Sequence, residues 1–193
     1  HLRELMGQET KFTQNLYDTA RMNPKRVVFA EGTHPTMLEA AVKAKAEGIC
    51  HPVLLGNEDQ IRHMAEEMDL KISDIEILNL RNDDQTDRRR RYAEILANKM
   101  QRKGYTLQEA IDKMYERNYF GMMMVETGEA DAFITGLYTK YSNTIKVANE
   151  VIGIREGYNH FATMHLVNSK KGIYFIADTL INRHPNEEAL EDI

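Results

Sequence analysis

The 193-residue sequence contains one cysteine, Cys50, and no tryptophan. A single cysteine excludes a framework of disulfide bonds within the chain, a pattern typical of proteins in reducing compartments. We therefore expect a cytoplasmic location. No apolar run approaches the roughly 18 residues that a membrane-spanning helix requires, so no membrane partner is expected.

The motifs of several common active sites are absent as well. The sequence has no G-x-G-x-x-G, no G-x-x-x-x-G-K-[ST] and no G-x-S-x-G, which argues against a dinucleotide fingerprint, a P-loop and an α/β-hydrolase nucleophile. His160 and His165 have a spacing that places them together in neither a helix nor a strand, so no metal site is predicted. The net charge is −5, and an acidic chain gives no electrostatic reason to expect a nucleic-acid partner.

The chain alternates between strand-like and helix-like segments. Apolar runs rich in β-branched residues predict strands at 26–31, 51–55, 75–80 and 132–135, and segments of helical periodicity lie between them. Such alternation predicts an α/β fold with three layers, in which mostly parallel strands carry helices on both faces.

Helix boundaries are marked by capping patterns. In a capping box, a side chain at the helix start pairs with the backbone three residues later. Glycines that adopt a left-handed conformation commonly end helices, and Gly104 and Gly128 are expected to do so. The capping pairs are Thr36 with Glu39, Asn57 with Gln60, and Thr106 with Glu109.

The pattern changes near residue 157. Strand-like runs at 162–167 and 173–177 flank a polar segment, which predicts a β-hairpin with a five-residue loop. A hairpin departs from the parallel pattern and indicates a second subdomain. We predict a connecting helix from an absent upstream region at 1–21, an α/β subdomain at 22–156, and the truncated beginning of a second subdomain at 157–193.

A stretch at 119–144 predicts a helix, a strand, a polar loop and another helix. The loop opens at Gly136 and is rich in hydroxyl groups. In open α/β sheets ligands bind at the carboxyl ends of strands, where the amides that start the next helix favour an anion such as phosphate. The alternative is an ordinary loop whose hydroxyl groups cap the next helix. Its polar residues are Thr139, Lys140, Tyr141, Ser142, Asn143 and Thr144.

Other polar residues leave two interpretations open. Glu31 and Asp178 each follow an apolar strand, and each is either a functional carboxylate or a cap or turn former. His34 lies in the first strand-end loop, next to Gly32–Thr33, and either contacts an anion or is a polar loop residue. The four arginines at 88–91 cannot share one helix face, which favours a solvated or subunit-contact surface over a nucleic-acid patch.

Four blocks together resemble a known family. RVVFAEG, HPVLLGN, YFGMMMVETGEADAFITG and KKGIYFIADTLIN are similar to the phosphate acetyl/butyryltransferases, and more closely to the phosphotransacetylase-like C-terminal domain of bacterial NADP-dependent malic enzymes. The resemblance implies a two-subdomain α/β fold with a cleft for acyl-CoA and phosphate, and it implies homo-oligomers.

The resemblance also implies site residues. The family's His-Ser-Thr type loop corresponds to Thr139, Lys140 and Tyr141, its following Arg corresponds to Lys146, and Thr144 is retained. The family's catalytic Ser, Arg and Asp are expected beyond residue 193, so no catalytic residue is assigned. The predicted acyl-CoA and phosphate-binding residues are Glu31, Gly32, His34, Gly136, Thr139, Lys140, Tyr141, Ser142, Thr144, Lys146 and Asp178.

The implied function is a regulatory acetyl-CoA-binding and oligomerisation domain of a malic enzyme. The alternatives are an active phosphate acetyltransferase and an assembly module without a ligand. No cofactor or metal is assigned to this chain, and the resemblance places NADP and a divalent metal in an upstream region of the parent enzyme.

Overall fold

A computed structural model of the protein describes residues 11–169 and 171–193. The chain divides into two compact units, one through Ile152 and one from Gly153 to Ile193. The first ten positions of the predicted connecting helix lie outside the described residues. Within the described residues, no helix is both long and apolar enough to cross a membrane.

The first unit is built on a parallel sheet that confirms the predicted α/β fold. In the described part of the chain it has four strands, in the order β3-β2-β1-β4. Val28 of β1 pairs with Val53 of β2 on one side and with Phe133 of β4 on the other. The strands are β1 Lys25–Phe29, β2 Cys50–Leu55, β3 Glu76–Leu78 and β4 Ala132–Ile134.

Helices cover both faces of this sheet. Successive strand residues point to opposite faces, and Val28 and Phe29 accordingly belong to two separate apolar clusters. Val28 packs with α4, α6 and α7, and Phe29 packs with α2 and α3. The helices are α1 Lys11–Met22, α2 Pro35–Ala46, α3 Glu58–Glu67, α4 Thr86–Met100, α5 Leu107–Lys113, α6 Arg117–Glu126 and α7 Tyr141–Val151.

Most of the predicted helix boundaries are confirmed. Thr106 and Glu109 form a full capping box at the start of α5, and the Asn57 side chain accepts a hydrogen bond from the Gln60 amide. Gly104 has a φ of 80° and Gly128 a φ of 74°, the left-handed conformation expected of helix ends.

Three predicted boundaries are wrong. Helix α2 is capped by His34 rather than by Thr36 with Glu39, because Pro35 fits the first helical position, where its missing N–H is not needed. The sequence after the Thr106 cap predicts a helix over 107–117, but this helix ends at Lys113 and α6 begins at Arg117. Helix α7 begins at Tyr141, so much of the predicted polar loop is its first turn.

The arginine run is not uniformly solvated, which corrects the prediction for Arg89. That side chain is 4% exposed. Its guanidinium donates to the carbonyls of Leu80 at 2.6 Å and Asn82 at 2.7 Å, and it lies over the Tyr115 ring. Arg90 is exposed and pairs with a carboxylate on the same helix, as a solvated helix face predicts.

The second unit contains the predicted hairpin and a short helix, α8 Glu187–Asp192. Strands β5 Met164–Ser169 and β6 Gly172–Ala177 are antiparallel. Ser169 pairs with Gly172, so only two positions separate the paired ends and the predicted five-residue loop is too long. Of those two positions, Lys170 lies outside the described residues.

Candidate functional site

The carboxyl ends of β1 and β4 lie side by side, and Glu31 joins them. From β1 the chain proceeds through β2 to β3 on one side and places β4 on the other, which makes the gap between β1 and β4 the point where ligands bind in open α/β sheets. Oε1 of Glu31 accepts hydrogen bonds from Thr135 Oγ1 at 2.9 Å and from the Gly136 amide at 3.1 Å. Glu31 is 1% exposed.

Gly32 is required by a close approach of the neighbouring strand. Its amide donates to the carbonyl of Leu55 at 3.0 Å, and a Cβ on Gly32 would lie only 2.9 Å from that same oxygen. Any larger residue would push the loop after β1 away from β2. Gly32 therefore fixes the position of Glu31 without offering a side chain to a ligand.

A cavity of about 710 Å³ extends along this edge of the sheet. Its wall includes residues that follow each of the strands, among them Thr33 after β1, Asn57 after β2, Asn79 after β3 and Thr139 after β4. Among the described residues, its charged wall groups are two carboxylates and four cationic side chains. They are Glu31, Glu116, Arg81, Lys113, Arg117 and Lys146. Positive charge thus predominates in the cavity wall.

Lys113 is held by a buried hydrogen-bond network. Its ammonium donates to the Tyr119 hydroxyl at 3.0 Å, and this hydroxyl donates to Oε2 of Glu150 at 2.5 Å. Tyr105 donates to the same carboxylate oxygen at 2.7 Å. The ammonium also lies 4.5 Å from the centre of the Tyr119 ring, a favourable cation–π distance. The network fixes a cationic group in the cavity wall.

The network shifts the acidity of its members. Burial raises the pKa of Glu150, but hydrogen bonds from Tyr119 and Tyr105 and the nearby lysines outweigh burial, and the pKa lies below its usual value. Burial raises the pKa of Tyr105 to about 12, with the hydrogen bond to Glu150 acting in the same direction. Burial and the same carboxylate raise the pKa of Tyr119. Glu150 is therefore an anion at neutral pH that orients Lys113.

A model of the family described as phosphate acetyl/butaryl transferase matches residues 11–193. The chain belongs to this family. A phosphate acetyltransferase from Thermoanaerobacterium thermosaccharolyticum is 33% identical to it over 93% of the chain. An NADP-dependent malic enzyme from Salmonella typhimurium is 32% identical over the whole chain. The resemblance noted in the sequence is confirmed.

A solved structure shows the same fold. The EutD phosphotransacetylase from Staphylococcus aureus matches 93% of this chain with a TM-score of 0.78 at 22% identity. This phosphate acetyl/butaryl transferase family member spans 55% of the Thermoanaerobacterium protein, 25% of the Salmonella protein and 54% of the solved chain. It is a phosphotransacetylase-like domain of the kind that phosphate acetyltransferases and malic enzymes share.

The structure brings three of the predicted binding residues into the cavity wall of this family member, namely Glu31, Thr139 and Lys146. Gly136 lies beside them through its amide bond to Glu31. The wall residues do not include Lys140, Tyr141, Ser142 or Thr144. Lys140 caps α7 without a side-chain hydrogen bond, and the other three form the first turn of that helix.

His34 and Asp178 have structural partners. Nδ1 of His34 accepts from the Thr36 amide at 3.2 Å, and its ring packs edge-on against Tyr138 at 5.3 Å. Asp178 belongs to the second unit, where its carboxylate accepts from Thr163 and from the backbone amides of 180–182. Burial raises the pKa of Asp178, but these hydrogen bonds outweigh it and hold the pKa far below its usual range. The turn-former interpretation accounts for these contacts.

Sequence reasoning missed three of the four cationic groups in the wall. Lys113 and Arg117 lie at the end of α5 and the start of α6, although both were predicted to lie within a single helix over 107–117. Arg81 follows β3. The available signal was the position of Arg81 after a predicted strand; nothing comparable marked Lys113 or Arg117. In residues 11–169 and 171–193, no group of three or more His, Cys, Asp or Glu side chains is placed to hold a metal ion.

Proposed function

We propose that the cavity at the carboxyl end of the sheet binds an acyl-CoA through its phosphate groups. The observation that carries this proposal is the excess of cationic groups, Arg81, Lys113, Arg117 and Lys146, in the wall of a cavity at the switch point of an α/β sheet. Phosphate groups are the usual ligands of such clusters, because charge-assisted hydrogen bonds to them are short and strong.

Three of the four groups differ in what they supply. Lys113 is fixed by its network and acts as an oriented point charge. Arg117 is stacked 5.4 Å from the centre of the Tyr138 ring, which leaves its planar edge to make two parallel bonds to one phosphate. The Lys146 side chain is 65% exposed and 3.9 Å from Glu150, so it is able to swing towards a ligand.

The volume of the cavity also suits the carrier. About 710 Å³ lies in the range of pockets that hold a small organic ligand, about 300–1,000 Å³. An inorganic phosphate alone would fill only a small part of it. A phosphorylated carrier uses both the charge and the volume of the cavity.

We further propose that in the full-length protein the domain regulates and assembles a malic enzyme, with acetyl-CoA as effector. The similarity to the Salmonella NADP-dependent malic enzyme supports this role. NADP and a divalent metal then belong to the part of the enzyme that carries out hydride transfer. Homo-oligomers and a cytoplasmic location accompany this proposal.

A second candidate is an active phosphate acetyltransferase, which moves the acetyl group from coenzyme A to phosphate. It is supported by the Thermoanaerobacterium phosphate acetyltransferase, which is 33% identical to this chain, compared with 32% for the Salmonella malic enzyme. Both candidates require acyl-CoA in the same cavity. An assembly module without a ligand does not require the cationic wall.

The test has a binding arm and two activity arms. Acetyl-CoA is titrated into the full-length protein by calorimetry, malate oxidation is followed with and without it, and acetyl phosphate formation is measured. Binding with a changed malate rate supports the regulatory role, whereas acetyl phosphate formation supports the transferase. The absence of binding at millimolar acetyl-CoA would leave the assembly module.

A further inference from the structure

Glu31 has one carboxylate oxygen that accepts hydrogen bonds and one that has no partner in the part of the chain that the structure describes. Oε1 accepts from Thr135 and Gly136. Oε2 is buried and has no hydrogen-bond partner among the residues that the structure describes. Buried polar atoms nearly always have a hydrogen-bond partner, so an unpartnered carboxylate oxygen points to a donor outside the described residues, such as a ligand.

The position of Glu31 indicates that the donor to Oε2 belongs to a ligand of the cavity. The residue is part of the cavity wall, and its side chain is anchored to the β4 end of the sheet on the opposite oxygen. A carboxylate without a second partner costs free energy in a buried position. Oε2 has almost no accessible surface, so a ligand donor reaches it by displacing a neighbouring group of the cavity wall, and the hydrogen bond that it donates then removes that cost.

From this arrangement we propose that Glu31 determines ligand specificity. Its free oxygen accepts a hydrogen bond from an uncharged donor, an amide N–H or a hydroxyl group, on the organic part of a phosphorylated carrier. This inference rests on the proposed function of the cavity. It adds that the cavity prefers a carrier with such a donor over a bare inorganic anion.

The charge of Glu31 excludes the other obvious occupants. A phosphate or sulfate oxygen would be repelled by a carboxylate at hydrogen-bond distance. A metal ion would need more oxygen ligands than Glu31 and Glu116 supply, and it would lie among Lys113, Arg117 and Lys146. A neutral donor is not repelled by the carboxylate, and it does not need the several oxygen ligands that a metal ion requires.

The experiment measures how one substitution, Glu31→Gln, changes the binding of two probes, coenzyme A and sulfate. Glu31→Gln keeps the shape and the bonds to Oε1 but replaces the acceptor Oε2 with an amide group that donates. Coenzyme A supplies amide and hydroxyl donors, and sulfate carries none at neutral pH. Calorimetry gives the Kd of coenzyme A for the full-length protein, and competition against it gives the Kd of sulfate.

We expect Glu31→Gln to weaken coenzyme A binding by about tenfold to a hundredfold, the range for hydrogen bonds to a charged group. Sulfate binding should be unchanged or tighter, because a negative charge has been removed. Glu129→Gln is the matched control. Glu129 is a partly buried carboxylate that pairs with Arg88 and Arg91 outside the cavity wall, and its substitution should leave both Kd values unchanged.

Three results would overturn the inference. Equal coenzyme A binding by wild type and a folded Glu31→Gln variant would show that Oε2 does not contact the carrier, while the proposed function would stand. A wild type that does not bind coenzyme A would remove the proposed function as well. If circular dichroism shows that the Gln variant is unfolded, Glu31→Asp replaces it in the experiment. This variant keeps the charge and shortens the side chain by one methylene group, so it should weaken coenzyme A binding and leave sulfate binding unchanged. Equal coenzyme A binding by wild type and Glu31→Asp would refute the proposal.

Discussion

The hydroxyl of Tyr119 lies 2.5 Å from Oε2 of Glu150, inside the first unit and next to the cavity. Glu150 is 7% exposed, and its charge is stabilised by hydrogen bonds from Tyr119 and Tyr105 and by the nearby Lys113 and Lys146. The bond connects helix α7 to helix α6 and, through Lys113, to helix α5. A single buried carboxylate therefore connects the three helices that supply Lys113, Arg117 and Lys146 to the cavity wall.

Replacing Tyr119 with Phe removes this bond without changing the packing of the ring. We expect the free energy of unfolding to fall by about 2 kcal/mol, because a buried carboxylate loses one of its charge-assisted hydrogen bonds. Urea unfolding followed by circular dichroism measures the change. Tyr141→Phe deletes a hydroxyl from an exposed side chain at the start of α7 and should change stability by less than about 0.5 kcal/mol. Equal losses in both variants would refute the role of the network.

Alkaline pH should break the hydrogen-bond network around Glu150, because Tyr105 loses the proton that it donates. In the folded chain the pKa of Tyr105 is raised from 10.0 to about 12, so between these values the unfolded chain loses the proton and the folded chain retains it. The stabilisation is complete below pH 10 and is lost as the pH rises towards 12. Absorbance at 295 nm should show one fewer tyrosine titrating near pH 12 in Tyr105→Phe than in wild type. A wild type whose tyrosines all titrate near pH 10 would contradict this.

The regular part of the fold was predictable from local signals. The parallel sheet follows from apolar runs such as 26–31 and 51–55, and the helix ends follow from Thr106 with Glu109 and from Gly104. These signals are short in range and depend on backbone chemistry. Pro35 shows where such a signal fails: the capping pattern at Thr36 is present, but the proline starts the helix earlier.

The site was predictable only in part, because its wall is assembled from distant segments. Glu31 was found through its position after β1, and Lys146 was found through the family resemblance, in which it corresponds to an Arg. Lys113 became part of the cavity through its bond to Tyr119 and the contact of that residue with Glu150, which the linear sequence does not display. The burial of Arg89 has the same origin, since its partners include carbonyls of the loop after β3.

Arg89 gives a prediction about the arginine run. Arg89→Lys should destabilise the protein by about 2–4 kcal/mol, because a lysine cannot reproduce the separate bonds to Leu80, Asn82 and Thr86 from one planar group. Arg90→Lys is the control in the same run, since Arg90 is exposed, and it should change stability by less than about 0.5 kcal/mol. Thermal unfolding of both variants measures the difference. Similar values for the two would show that the buried bonds of Arg89 add little.

The most direct measurement is the Kd of coenzyme A for the wild type, Lys146→Ala and Lys140→Ala, determined by calorimetry on the full-length protein. Lys146 belongs to the cavity wall, and Lys140 does not. We expect about a tenfold weaker Kd for Lys146→Ala, roughly 1.5 kcal/mol for a lost charge-assisted contact, and an unchanged Kd for Lys140→Ala. A protein that binds coenzyme A equally well in all three forms would contradict the assignment of this cavity as the acyl-CoA site.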